Sequence, residues 1–407
     1  MRSRSPNLGH LALLVAAGGL LSGAFLAFHY APTFEAAHDS VAHVETLALG
    51  RLLRSLHHWC GTFALVLAGL HAARLFWHGE YKPPWRALWV LGGCMALVLL
   101  GFVYTGYLLA GDERALAGLR VMDGVAASTP FLGDAIASAV RGGDVISSAT
   151  LTRLYAVHAV VLPAALVFLV AAFVARVKRL HGDLVPTRDA RAAIAVLALL
   201  ALCAILFPPG LGPEADLTGS APPDARPEWF FLWVNELLHR IPGNTFLVAG
   251  LLPLGLVTLA IGLPFLARGE AREPARRKPE IAVAAVIVLV IAGLTAASFA
   301  RAPERVEEAS PAPAGTPTPL AVMEKFQCAR CHRIDGAESP DDTGPPLYRV
   351  AADDHPAVKD LFTRQFFRLK VGDPRKYWDG TSMNYTPTRL KPTAAELAAL
   401  ERWFFGE

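Results

Sequence analysis

The sequence predicts a mainly α protein, a seven-helix transmembrane bundle followed by a small all-α domain. Three observations predict it. Several apolar runs reach the roughly 20 residues needed to cross a bilayer. Of the 407 residues, 53% are hydrophobic and 18% charged, with a mean hydropathy of +0.38, too little charge for a soluble chain of this size. A Pro- and Ala-rich stretch then sets off a small soluble segment at the C-terminal end.

The spanning segments are expected at about 10–28, 51–78, 87–109, 151–178, 191–208, 246–267 and 281–299. Lys and Arg set their orientation. Arg2, Arg4, Lys82, Arg86, Arg176, Lys178, Arg179, Arg188, Arg191, Arg268, Arg272, Arg276, Arg277 and Lys278 all fall on one side, which is predicted to be cytoplasmic. Seven crossings from a cytoplasmic N-terminus place the C-terminus outside. The first apolar run lacks a small-residue cleavage site, so no cleavable signal peptide is expected. Residues 1–185 and 186–300 divide the bundle into four-helix and three-helix parts. Residues 301–319 read as a semi-extended tether, and 320–407 as the soluble domain, whose last helical pattern, Ala394–Phe405, is expected to pack on the helix before Cys328. The net charge is only +3, and the basic residues are not gathered with aromatics, which argues against a nucleic-acid partner.

Cys60, Cys94 and Cys203 sit singly in apolar runs and read as small buried hydrophobes. Cys328 and Cys331 differ: with His332 they form C-x-x-C-H, the attachment pattern of one covalent c-type haem. Two thiols in this spacing suit the two vinyl groups, and the adjacent His332 supplies an axial nitrogen. The competing reading, a zinc half-site, needs further ligands nearby. An extracytoplasmic C-terminus agrees with haem attachment.

His57 and His71 stand at i and i+14 in the second span. At 100° per residue they return to nearly one face, about 21 Å apart along the axis. Intramembrane histidines are uncommon and usually functional, and two on one face suit two haems stacked across the bilayer. Gly9 and Gly23 in the first span repeat the i, i+14 interval, as do Gly92 and Gly106 in the third. A missing side chain lets a flat macrocycle approach the backbone. Small-residue helix packing is the competing explanation, and the repeated interval on three helices weakens it.

Two family resemblances follow from these motifs. Residues 320–407 resemble class I mono-haem cytochromes c. Gly344-Pro345-Pro346-Leu347 matches the segment that orients the proximal histidine, and Met383, in Gly380-Thr381-Ser382-Met383, sits where that family places its sulfur ligand. His355 is the alternative ligand, and Met323 is poorly placed. Arg54-Ser55-Leu56-His57-His58-Trp59, His71-Ala72-Ala73-Arg74, Thr150–His158 and Pro227-Glu228-Trp229-Phe230 resemble cytochrome b of quinol:cytochrome c complexes, in its split photosynthetic form above all. That likeness covers roughly residues 8–270.

The resemblance implies that His57 and His158 ligate a b-type haem nearer the outside, with Arg54 beside a propionate and His58 a neighbour rather than a ligand. Glu228 is implied to accept a proton from quinol, a task a partly desolvated carboxylate suits. Phe230 stands where the family has tyrosine. Implied partners are membrane quinol, a Rieske iron–sulfur protein, a periplasmic cytochrome or terminal oxidase, and a second copy in a homodimer.

The pattern breaks at the inner haem. It needs His71 and a second histidine about four turns after His158, at one of the two positions where Ala172 and Phe173 stand. Arg74, Gly9 and Gly92 remain. Asn7 stands where the photosynthetic form has the cysteine of a further haem, with His10 close by. Three outcomes stay open: a five-coordinate haem on His71, a haem that recruits His10, or no second haem. The function expected is a cytochrome b/c fusion subunit of a quinol-oxidising complex in a bacterial cell membrane. The alternative is a non-catalytic, membrane-anchored electron-transfer subunit serving another dehydrogenase or reductase.

Overall fold

The computed structural model describes residues 7–143, 145–181, 190–215, 217, 226–267, 269–301, 321–322, 325, 395–396 and 398–400. The described residues are helical, apart from their connecting turns and one isolated bridge between Asp112 and Glu214. Residues up to Ala215 and from Arg226 to Arg301 form one compact unit; Leu217 and the described residues beyond 320 belong to another.

The first unit is built on α1 (Leu8–Ala27), a short α2 (Ala37–Thr46), α3 (Gly50–Trp77) and α4 (Arg86–Leu108). Short helices α5 (Glu113–Ala127) and α6 (Gly133–Arg141) follow. Next comes a continuous rod of α7 (Ser148–Ala156), a π-turn (Val157–Val161) and α8 (Leu162–His181). Then come α9 (Ala190–Leu206), α10 (Leu232–Arg240), α11 (Leu252–Leu266), which continues a second π-segment (Phe246–Leu251), and α12 (Lys278–Ala300).

Among the described residues, six helical stretches are long and apolar enough to cross a membrane. The seventh expected span, 191–208, is an apolar helix of 17 residues, α9. At 1.5 Å per residue it reaches about 25 Å, a little short of the roughly 30 Å hydrocarbon layer. Phe168, Leu199, Leu254 and Leu289 are exposed on these rods. Such apolar outward faces are what lipid solvates, so the chain is a multi-pass membrane protein.

Between lipid-solvated helices, close packing and interhelical hydrogen bonds replace hydrophobic burial as the cohesive terms. Small residues supply the packing: an added Cβ on Gly19 would lie 3.2 Å from Cys60 Cβ, which brings α1 against α3. A buried cluster of Leu11, Val15, Cys60, Ala64, Leu67, Met95, Leu99, Leu166 and Leu200 joins α1, α3, α4, α8 and α9. Polar ties reinforce it. Ser55, fully buried, donates to the Ala204 carbonyl at 2.7 Å, and the Trp89 indole donates to the Ala260 carbonyl at 2.9 Å.

The two ends of the bundle are locked differently. At the end of α3 near Trp77, the buried Arg277 guanidinium donates to the carbonyls of Phe76 (3.0 Å) and Arg272 (3.0 Å). Beside it, Lys82 Nζ donates to the carbonyls of Gly269 (3.1 Å) and Ala271 (2.7 Å). At the other end, buried Asp112 caps α5, accepting from Ala115 N at 2.8 Å and Gly212 N at 3.1 Å. A cap of this kind is worth about 1 kcal/mol, and here it also pins the segment after α9 over the bundle. Glu236, buried on α10, accepts from Arg240 (2.8 Å) and Arg301 (2.9 and 3.0 Å), fixing the end of α12.

Candidate functional site

His57 on α3 and His158 in the π-turn face each other, with ring centroids 6.0 Å apart and planes at 71°. His57 Nδ1 lies 2.9 Å from the Gly19 carbonyl. A carbonyl only accepts, so Nδ1 carries the proton. His158 Nδ1 lies 2.9 Å from Thr105 Oγ1, whose own hydrogen goes to the Gly101 carbonyl at 2.7 Å, so this nitrogen donates as well. Both rings are therefore held in the tautomer that leaves Nε2 as a bare lone pair.

Glycines crowd both rings. A Cβ on Gly23 would lie 2.8 Å from His57 Cε1 and 3.8 Å from its Nε2; one on Gly106 would lie 3.1 Å from His158 Cε1 and 3.9 Å from its Nε2. In each case the Nε2 edge turns away from the glycine. These rings and glycines line a cavity of about 460 Å³. Among the described residues no group of three or more His, Cys, Asp or Glu side chains could hold a metal ion. Two opposed imidazoles without further ligands suit a metal whose other positions a planar macrocycle already fills, so the arrangement fits a haem.

The same cavity reaches Arg54, His58, Tyr107, Arg114, Glu228 and Phe230. Glu228, with its side chain 12% exposed, lies 3.5 Å from the Arg114 guanidinium on α5. Phe230 packs edge-on against Trp229 and Phe231, and Tyr104 and Tyr107 pack on Phe231, which makes this wall aromatic. Arg54 is ion-paired with Glu45 and donates to the Pro209 carbonyl at 2.8 Å. Tyr30 donates to the Leu109 carbonyl at 2.8 Å, and burial raises its phenol well above the usual range.

The His71 end is different. A Cβ on Gly9 would meet His71 Nε2 first, at 2.9 Å, so that nitrogen is turned onto α1. Among the described residues, His71 Nδ1 is buried with no hydrogen-bond partner, and Gly92 has open space where a Cβ would stand. The π-turn decides between Ala172 and Phe173. It absorbs one extra residue, so the helix position matching His71 falls at Phe173. Phe173 packs on the buried apolar cluster. Arg74 lies one turn beyond His71 on α3, and His10 is on the exposed face of α1.

Sequence reasoning brought together His57, His158, Gly23, Gly106, Arg54 and Glu228; it missed Thr105, the Gly19 carbonyl and Arg114. Cys328, Cys331, His332 and Met383 lie outside the described residues, as do Gly344–Leu347, His355, Met323 and the tether. In the second unit, Lys325 pairs with Glu396 at 2.6 Å, and Val322, Ala399 and Leu400 are buried.

Comparison with known proteins agrees with this geometry. Residues 3–180 match the family described as cytochrome b/b6/petB, and 215–308 the one described as cytochrome b(C-terminal)/b6/petD. The menaquinol:cytochrome c reductase cytochrome b subunit of Bacillus subtilis is 37% identical over 166 residues, 40% of this chain and 74% of that protein. The protein of the same name from Geobacillus thermodenitrificans is 35% identical over 42% of this chain and 77% of its own length. Cytochrome b6 of a Synechococcus species is 34% identical over 38% of this chain and 73% of its own length. A solved structure titled hyperthermophilic respiratory Complex III shares the fold, with a TM-score of 0.62 at 24% identity, over 72% of this chain and 83% of that one. The chain belongs to the cytochrome b/b6 family.

Proposed function

We propose that the chain is the cytochrome b subunit of a quinol-oxidising respiratory complex, fused to a C-terminal class I cytochrome c domain. One observation carries the reading: the bare Nε2 edges of His57 and His158, set between Gly23 and Gly106, share a cavity with Glu228. The names borne by the relatives from Bacillus and Geobacillus support it.

His57 and His158 hold one b-type haem, which when bound supplies a one-electron acceptor beside the quinol. Gly23 and Gly106 give it access to the helix backbones, and Arg54 offers its guanidinium to a propionate. Quinol binds in the part of the cavity lined by Tyr107, Phe230 and Glu228. Its oxidation releases two electrons and two protons. Glu228 accepts a proton, and Arg114 holds its carboxylate at the cavity wall. One electron leaves to a Rieske iron–sulfur partner, and the other would go to the haem held by His57 and His158. At the C-terminal end, Cys328 and Cys331 would carry a covalent c haem, with His332 and Met383 as the side chains that would bind its iron. Such a haem would supply a one-electron carrier toward a periplasmic cytochrome or terminal oxidase, and the tether at 301–319 would keep it at high effective concentration. The protein sits in a bacterial cell membrane, N-terminus cytoplasmic and c domain outside, as a homodimer.

The test is quinol-dependent reduction in the purified complex, followed in the b and c absorption bands. In the Cys328→Ala/Cys331→Ala variant, b haem reduction by quinol is expected to persist while transfer to downstream acceptors slows. Loss of both would sink this division of labour. Phe230, which removes a hydroxyl from the cavity wall, favours a second reading as a non-catalytic electron-transfer anchor for another dehydrogenase or reductase. An intact chain whose b haem never takes electrons from quinol would support that reading instead.

A further inference from the structure

We infer that the His71 end of the bundle holds no haem, so that the chain carries a single b haem and sends both quinol electrons out at the His57 end. The inference rests on the haem assigned above to His57 and His158. It comes from setting the two ends side by side.

A second bis-imidazole site requires three features that the His57 end possesses, and the His71 end departs in each. The first is an opposed lone pair. The π-turn sets Phe173 in that position, and a phenyl ring has none to give. The second is a fixed tautomer. His57 and His158 each donate Nδ1–H to an acceptor at 2.9 Å, whereas His71 Nδ1 is buried without one. Acceptors behind a ligating imidazole orient it and raise its basicity, and their loss typically costs about 10–100-fold in metal affinity. The third is direction. At His57 and His158 the Nε2 edge turns away from the crowding glycine, while at His71 it is the atom nearest Gly9, at 2.9 Å.

Phe173, Leu67 and Met95 instead belong to, or pack on, the apolar cluster that ties α1, α3, α4 and α8 together. The inner half is thus a packing core with one leftover imidazole. His10 is exposed on α1 yet lies within electrostatic reach of His71, so a b haem that His71→Leu removes would also count a haem shared with His10 against the inference. Without a redox group there, the electron that enters the haem at His57 and His158 has no onward acceptor at the His71 end, so both electrons released as quinol becomes quinone leave at the His57 end, one directly to the iron–sulfur partner and the other from that haem to the same partner in a later step.

The experiment counts haem in the full-length chain, purified in its complex, by pyridine haemochrome per polypeptide, with a redox titration of the b absorption band. One b haem per chain and a single one-electron wave are expected. His71→Leu should leave both unchanged, and His57→Leu should remove the b haem altogether. Two b haems per chain, two waves, or loss of b haem in His71→Leu would overturn the inference. If His71→Leu removes the one b haem and His57→Leu keeps it, the assignment of the haem to His57 and His158 fails with it. If both variants lose one of two haems, only the inference fails.

Discussion

One helix, α3, carries His57 near one end and His71 near the other, and the two imidazoles meet different surroundings. His57 faces a second imidazole across a cavity and donates a hydrogen bond from Nδ1–H to a carbonyl. His71 faces the α1 backbone, and its Nδ1 is buried with no partner. On the proposed assignment, a histidine with glycine spacing is not sufficient for a haem site; the opposing ligand, the acceptor behind the ring and the direction of the ring make the site. An unpartnered buried ring nitrogen costs about 1–3 kcal/mol, an expense the tight α1–α3 packing at that end absorbs.

The largest expected effect breaks the end proposed to hold the haem. His158→Leu removes one of the two imidazoles proposed to bind it, and b haem is expected to vanish from the spectrum of the purified chain while any c band stays. A retained, unchanged b band would show that the two ends had been assigned the wrong way round. Next is Glu228→Gln, which keeps shape and removes the proposed proton acceptor. General-base groups contribute about 10²–10⁴-fold, so stopped-flow reduction of the b haem by quinol should slow by that order with haem content intact. A rate within a factor of two of the parent would remove Glu228 from the proton path.

The next change builds rather than breaks. Phe173→His places an imidazole at the position the π-turn aligns with His71 and should raise b haem content above one per chain, with a second wave in the redox titration. A haem count that stays at one in a folded variant would mean that the ring direction at His71 or the closed packing around it is the controlling defect. Smaller still is Thr105→Val, an isosteric change that takes away the acceptor for His158 Nδ1–H. Loss of such an acceptor lowers metal affinity by about 10–100-fold, read as faster haem loss to an apo-globin trap. At the His71 end no equivalent hydroxyl bonds the ring, so no matching change can be made there.

Much of this is legible in the sequence. The spans announce themselves by length and apolarity, because a bilayer leaves the backbone few alternatives. His57, Gly23 and Gly106 stand out through the i, i+14 interval repeated on separate helices, and Glu228 through Pro227–Phe230. What stays hidden depends on neighbours from other helices. Thr105 is an ordinary threonine until α4 meets His158, and Arg114 is an ordinary surface charge until α5 folds over Glu228. The π-turn carries no Gly or Pro marker: Val157-His158-Ala159-Val160-Val161 reads as any apolar helix, so Ala172 and Phe173 are equal candidates by sequence. The extent of α9 escapes too, since an apolar run does not say where within it the helix starts and stops.

The finest comparison uses two glycines on one helix, Gly92 and Gly106, about four turns apart on α4. A methyl at Gly106 would lie 3.1 Å from His158 Cε1, tighter than ordinary contact, so Gly106→Ala must push the ring or the helix. Overpacking of this kind costs about 1–3 kcal/mol, against a gain of about 0.5–1 kcal/mol from replacing a mid-helix glycine by alanine. A lower Tm and a broadened b band are expected. Gly92→Ala meets nothing within 4 Å, so only the gain remains, and its Tm should hold or rise by the equivalent of about 0.5–1 kcal/mol with the b haem spectrum unchanged. The opposite signs matter more than the sizes. If Gly92→Ala instead disturbs the b band, a macrocycle stands against that glycine after all, and the two ends of the bundle are more alike than their imidazoles indicate.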